Sequence, residues 1–253
     1  TKSKKITFAV RVDNSKQPAA RWYTGSGIYA NTWMDVKEKI YIPTNGIFVK
    51  TSGSKVFIET ELRNDINRTS DFVLKSVVKD KSGNIVATVQ NKIQMQAGDK
   101  LTIPQMLEIE KPELWSPEKP YLYTLESHIM LAKKSISKVD TRFGVRDIEW
   151  KPETGMWLNG KNIKLQGVCN HQDAGALGAA VPDKILRFRI QQLKDMGCNT
   201  IRTAHNPQTP QFYDMCDEMG MMVMDELYDG WKKKAENDYG AHAFAECWNR
   251  DLT

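Results

Sequence analysis

Three short segments concentrate the side chains able to do chemistry: Asn170-His171-Gln172-Asp173, Arg202-Thr203-Ala204-His205-Asn206 and Asp225-Glu226. They bring imidazoles, a guanidinium, carboxamides and carboxylates, a set of donors and acceptors suited to a hydroxyl-rich ligand. Each also has a blander reading. A single His171 or His205 at a strand end is more often a structural hydrogen-bonder, Arg202 can neutralise Asp225 or Glu226, and those acids can cap the segment that follows. No His-Glu-x-x-His or similar spacing is present, so no metal ligand is assigned.

Convergence of the three segments depends on the elements behind them. Each follows a strand-like run: Ile163 to Val168, Asn199 to Arg202, and Met221 to Met224. The last is nearly all apolar, which predicts a strand covered on both faces. Between the runs lie two helices. Pro182-Asp183 opens the first, with Asp183 as its N-cap and Ile185, Leu186, Ile190 and Leu193 turned inward, and Gly197 ends it. Thr209 caps the second, with Pro210 in the first turn. It continues through Phe212, Tyr213, Met215, Cys216 and Met219 to Gly220. Alternating strands and helices with short loops predict parallel strands joined by right-handed crossovers, with all carboxyl ends on one face. A TIM barrel and a doubly wound sheet both satisfy this pattern.

Residues 40–145 read differently. Val56, Ile58 and Leu62 alternate with Glu59 and Glu61, placing one face inward. Phe72 to Val78 leads through Asp80-Lys81-Ser82-Gly83-Asn84 into Ile85 to Val89, a hairpin with a glycine in its turn. Tyr121 to Leu125 and Ser127 to Leu131 continue the series, and short strands at this spacing predict an immunoglobulin-like sandwich. Ile6 to Val12 is a further predicted strand, isolated from these.

Composition narrows the function classes. Of 253 residues, 40% are hydrophobic and 26% charged, as in a globular protein able to bury a large core. No apolar run approaches the length of a membrane span, so no membrane partner is expected. The net charge of +5 is scattered over lysines at 2–5, 132–138 and 232–234, which reads as solvated surface and not as a nucleic-acid interface. Cys169, Cys198, Cys216 and Cys247 form no Cys-x-x-Cys pair and read as buried free thiols.

Six segments, in order, carry a resemblance to a known family. They are Arg21-Trp22-Tyr23-Thr24-Gly25-Ser26-Gly27-Ile28-Tyr29, Leu114-Trp115-Ser116-Pro117-Glu118-Lys119-Pro120-Tyr121-Leu122-Tyr123, Phe143-Gly144-Val145-Arg146, Gln166-Gly167-Val168-Cys169-Asn170-His171, Ile201-Arg202-Thr203-Ala204-His205-Asn206-Pro207 and Met224-Asp225-Glu226. With Leu158-Asn159-Gly160-Lys161 beside them, they resemble glycoside hydrolase family 2, the family of β-galactosidases, β-glucuronidases and β-mannosidases. The resemblance implies the tail of a jelly-roll domain over 1–39, an immunoglobulin-like sandwich over 40–145, and the first three βα units of a (β/α)8 TIM barrel over 146–253. Phe244 to Thr253 would then be the third barrel helix.

The same resemblance implies a function: retaining hydrolysis of terminal β-linked sugars, β-galactosides first, with β-glucuronides and β-mannosides as alternatives. A non-catalytic carbohydrate-binding or scaffold protein on these modules is the contrasting reading. The family's two catalytic glutamates end barrel strands four and seven, so none is assigned within this chain, which is expected to be part of a longer parent and inactive alone. The implied substrate-binding set is His171, Arg202, His205, Asn206, Asp225 and Glu226. Arg202 would position the absent nucleophile and the histidines would hydrogen-bond sugar hydroxyls. The best-known β-galactosidases hold magnesium with a glutamate and a histidine after strand three. Here that stretch reads Leu227-Tyr228-Asp229-Gly230-Trp231, so no cofactor is assigned. A homo-oligomer is allowed, and bacterial cytoplasm and periplasm both suit such an enzyme.

Overall fold

The computed structural model describes residues 7–13, 15, 27–228 and 240–252. From Ile40 to Phe143 they build two antiparallel sheets. In one, β3 (Lys55–Asn64) pairs along one edge with β6 (Lys100–Glu108), and along the other with β2 (Ile47–Ser52) and β1 (Ile40–Tyr41). The second sheet runs β5 (Ile85–Met95), β4 (Ser70–Lys79), β7 (Tyr123–Leu131), β8 (Lys134–Phe143). Period-two alternation drives their stacking. Val56, Ile58 and Leu107 meet Val78, Leu125 and Phe143 across the sandwich, and Ile40 and Leu62 meet Phe72, Leu74 and Ile129. Asn64 closes one end. Its side-chain amide donates to the carbonyls of Arg68, Met95 and Gln96, while its Oδ1 accepts from the Ile66 amide.

A small antiparallel sheet of β9 (Ile148–Lys151), β10 (Gly155–Leu158) and β11 (Lys161–Asn162) leads out of the sandwich. Three parallel strands follow, β12 (Gly167–Asn170), β13 (Thr200–Thr203) and β14 (Met222–Met224), in that spatial order. The helices α1 (Asp183–Asp195) and α2 (Pro210–Met219) connect them, and α3 (Gly240–Leu252) comes last. Leu186 and Ile190 of α1 pack with Ile201, Phe212, Met215 and Cys216 into one core. Among the described residues no helix is long and apolar enough to cross a membrane.

Trp115 joins the two halves. Its ring is 2% exposed and packs with Met156, Leu158 and Met222. Its indole N–H donates to the Asp217 carbonyl at 2.9 Å, and its own carbonyl accepts from Asn159. A Cβ on Gly144 would lie 2.7 Å from the Trp115 Cβ, so glycine is what lets the chain pass the ring.

Several expectations change at this level. Residues 7–13 form no strand, since a strand needs a neighbour to bond and these have none among the described residues. Ile6, the start of that run, and residues 21–26 of the jelly-roll-like motif lie outside the described residues, as does the 232–234 lysine run. The strand expected at Ile163 to Val168 is instead Gly167–Asn170, because residues 163–166 serve as the link from the small sheet. Asp183 is the first helical residue and Pro182 the cap, with no side-chain bond. Asp183 therefore acts on the helix dipole alone. Ile185 is turned outward, one position off the stripe set by Leu186 and Ile190. Met224 is 50% exposed, because β14 borders no further strand among the described residues. Of the cysteines, Cys216 alone is fully buried, and its thiol is pushed up to about 12 by burial, whereas Cys169 is exposed.

Candidate functional site

The parallel ladder sets which side chains can meet. Cys169, Arg202 and Met224 are direct neighbours across β12, β13 and β14, and Asn170 stands beside Thr203. Because faces alternate along a strand, Cys169 and Arg202 share one side of the sheet. Val168, Asn170, Ile201 and Thr203 share the other, which α1 and α2 cover.

Glu226 continues the first side. Its Oε2 accepts from Arg202 Nη2 at 2.6 Å and stands 3.2 Å from His205 Nδ1. Arg202 Nη1 also reaches Cys169 Sγ at 3.2 Å. The His171 ring lies edge-on to His205, centroids 5.3 Å apart. Four of the six expected binding residues, His171, Arg202, His205 and Glu226, therefore form one cluster at the strand ends. The Glu226 and His205 side chains are mostly buried, at 18% and 20% exposure, while Arg202 keeps 37%.

Asp225 goes elsewhere. Its Oδ1 accepts from Thr203 Oγ1 at 2.8 Å and from the Tyr213 hydroxyl at 2.7 Å. The Tyr213 hydroxyl in turn accepts from the Gln208 amide. Burial and the Asp225 carboxylate together push the Tyr213 phenol well above its ordinary range, so it is a permanent donor here. Thr203 Oγ1 accepts from the Glu226 amide, which fixes the turn where the two acids part. Asn206 also lies to one side, its amide donating to Gln172 Oε1 and the Pro207 carbonyl.

Residue types alone did not single out Thr203, Tyr213, Arg189 or Cys169. Arg189 of α1 donates to Asn170 Oδ1 and to the carbonyls of His171 and Asp173, holding the first strand end against the helix. The usable signal for Thr203 was its position one residue from Arg202, hence on the opposite face. Arg189 and Tyr213 sit within helical stripes and carried no such mark.

Two polar side-chain atoms near the strand ends, outside the cluster itself, are buried without a hydrogen-bond partner: Asn170 Nδ2, a donor, and Asn206 Oδ1, an acceptor. Orphaned buried donors and acceptors are costly unless a ligand or water completes them. Among the described residues no group of three or more His, Cys, Asp or Glu is placed to hold a metal ion. Asp229, Gly230 and Trp231 lie outside the described residues, and Leu227 and Tyr228 do not supply the glutamate and histidine of a magnesium site.

Comparison with known proteins bears on both halves. Residues 40–146 match the family model "Glycosyl hydrolases family 2", and residues 150–239 match "Glycosyl hydrolases family 2, TIM barrel domain". A putative β-glucuronidase of Formosa agariphila is 43% identical across 98% of this chain, which spans 24% of that protein. A β-galactosidase of Bacteroides ovatus is 39% identical across 97% of this chain, which spans 29% of it. The crystal structure of a glycosyl hydrolase family 2 member from Bacteroides cellulosilyticus superimposes with a TM-score of 0.87 at 34% identity, over 92% of this chain and 31% of that one. A β-glycosidase structure from Bacteroides vulgatus gives 0.83 at 37%, over 95% and 31%. The chain thus spans about a quarter to a third of the length of these relatives.

Proposed function

The chain belongs to glycoside hydrolase family 2, as an immunoglobulin-like sandwich followed by the opening units of a TIM barrel, and we propose that its parent protein is a retaining exo-β-galactosidase. The observation that carries this reading is the joint hold of Glu226 on Arg202 and His205 at the carboxyl ends of parallel strands, beside His171. In such a fold that face is where ligands bind.

In retaining hydrolysis one carboxylic acid protonates the leaving oxygen while a second carboxylate attacks the anomeric carbon, the two about 5–5.5 Å apart. The pair would come from later barrel strands of the parent. The role of the residues here is to bind and orient. Glu226 fixes Arg202, whose proposed role is to orient the attacking carboxylate. His171 and His205 present ring nitrogens to sugar hydroxyls, and Asn206 and Asp225 shape the wall.

A neutral glycone fits this mouth better than an acidic one. The Glu226 carboxylate lies there, Arg202 is engaged by it, and Arg189 by carbonyl oxygens. The 43% identity to a putative β-glucuronidase favours the other reading, a glucuronide with its carboxylate met by cations from elsewhere in the barrel. Assaying the parent with aryl β-galactoside and aryl β-glucuronide, with the anomer released read by NMR, decides. Higher kcat/KM for the galactoside with a β-sugar released first supports the proposal. Preference for the glucuronide overturns the glycone, and no turnover with intact sugar binding identifies a non-catalytic binding protein.

A further inference from the structure

A cavity of about 420 Å3 lies away from the strand ends, where the sandwich meets α2. Lys50, Arg142, Trp115, Arg146 and Asp217 line it. Arg146 is the unusual group. Its backbone is pinned on both sides by Thr51 Oγ1, which accepts from its N–H and donates to its carbonyl. Its guanidinium lies over the Trp115 ring, 4.9 Å from the centroid. Yet among the described residues no hydrogen-bond acceptor or ion-pair partner is within reach of its five N–H donors.

That arrangement is costly as it stands. Burial pulls the Arg146 pKa down, so the surroundings disfavour its charge, and Asp217 acts on it only at a distance. Burial also pushes the Asp217 carboxyl up, which makes it a weak counter-charge. The neighbouring acids of α2, Asp214 and Glu218, are already taken by Arg142, and Glu218 by Arg187 as well. Lys50 adds a further cation from β2. The cavity therefore presents a flat, pre-oriented guanidinium fork and an ammonium, with its local acids spent or weakened. Planar N–H forks of this kind pair with oxyanions in a bidentate manner.

We propose that this cavity binds a small oxyanion, a phosphate or a carboxylate, held by Arg146 with Lys50 as second cation. The site is independent of the sugar-binding reading and lies at the joint between the two halves. The test is calorimetry of the full chain with inorganic phosphate and, separately, acetate, against chloride at equal ionic strength. The expected result is saturable binding of one equivalent, weakened about tenfold or more by Arg146→Met. Lys50 is exposed, so Lys50→Met should fold normally and weaken binding by a smaller factor. Asp217→Asn should tighten it by removing a repelling charge. Phosphate binding alone, or acetate alone, identifies which oxyanion the site takes. Absence of saturable binding by the unmodified chain, or binding unchanged in both cation variants, overturns the proposal. In that case Arg146 serves as a long-range partner of Asp217, and Asp217→Asn would lower stability without affecting phosphate.

Discussion

The Arg202 guanidinium donates to Glu226 at 2.6 Å across the gap between two adjacent parallel strands. This bond orders the mouth of the sheet. Arg202 lies on the side of β13 away from the helices, beside Cys169 of the neighbouring strand. Glu226, two residues past the end of β14, fixes it from the neighbouring strand and holds His205 through the same oxygen.

The two adjacent acids should therefore behave differently. Glu226→Gln keeps the shape but removes the charge that holds Arg202 and His205. In the proposed parent enzyme it should lower kcat/KM roughly a hundredfold, the scale of one lost transition-state contact. Asp225→Asn touches only the helix-facing contacts to Thr203 and Tyr213, and should lower kcat/KM about tenfold or less. Equal losses in the two variants, from steady-state kinetics on one aryl β-glycoside, would refute the division of faces.

Tyr213→Phe tests the support of Asp225 from behind. It removes the donor to Asp225 and the acceptor of the Gln208 amide, costing about 1–2 kcal/mol of stability. Urea denaturation of the variant should show that loss with KM nearly unchanged. A KM rise of tenfold or more would mean that Tyr213 itself touches substrate.

Much of this arrangement was legible in the residues. Val56, Ile58 and Leu62 showed the sandwich face by alternation, and Pro210 with Gly220 bounded α2 because each suits one end of a helix. The clustering of His171, Arg202, His205 and Glu226 followed from parallel strands sharing one face. What could not be read was the split of Asp225 from Glu226. Whether the chain still alternates after the last ladder bond at Met224 depends on Thr203, a residue from another strand. The exposed Ile185 and the displaced β12 were hidden for a similar reason: a stripe or strand shifts by one or several residues with partners distant in sequence.

Gly220 is the next point of test. Its φ is +73°, and an added Cβ would press into the Pro117 carbonyl of the sandwich. The Lys194 ammonium is bound to that same carbonyl at 3.0 Å, so α1, α2 and the sandwich loop lock together there. Gly220→Ala should cost about 2–4 kcal/mol, combining the left-handed penalty with the clash. Trp115→Phe, which loses only the bond to the Asp217 carbonyl and some packing, should cost less, about 1–3 kcal/mol. Thermal unfolding ranks them, and a Gly220→Ala protein as stable as the original would show that the joint yields easily.

Glu126 on β7 supplies the pH dependence of the sandwich. Lys138, Lys79 and His128 surround its carboxylate and lower its pKa from 4.5 to about 2. A carboxyl depressed in the folded state stabilises fully above its unfolded pKa, and that stabilisation is lost as pH falls through the folded value. The loss should therefore run from about pH 5 down to pH 2. Lys138 is 43% exposed and Lys79 31%, so solvent screening reduces the net contribution to about 1 kcal/mol. Glu126→Gln should be less stable than the original at pH 7 by that amount, with the gap closing as pH falls towards 2. Urea midpoints at several pH values read this directly. A gap that stays constant from pH 7 to 3 would show that packing of the Glu126 side chain, and not its charge, stabilises this sheet.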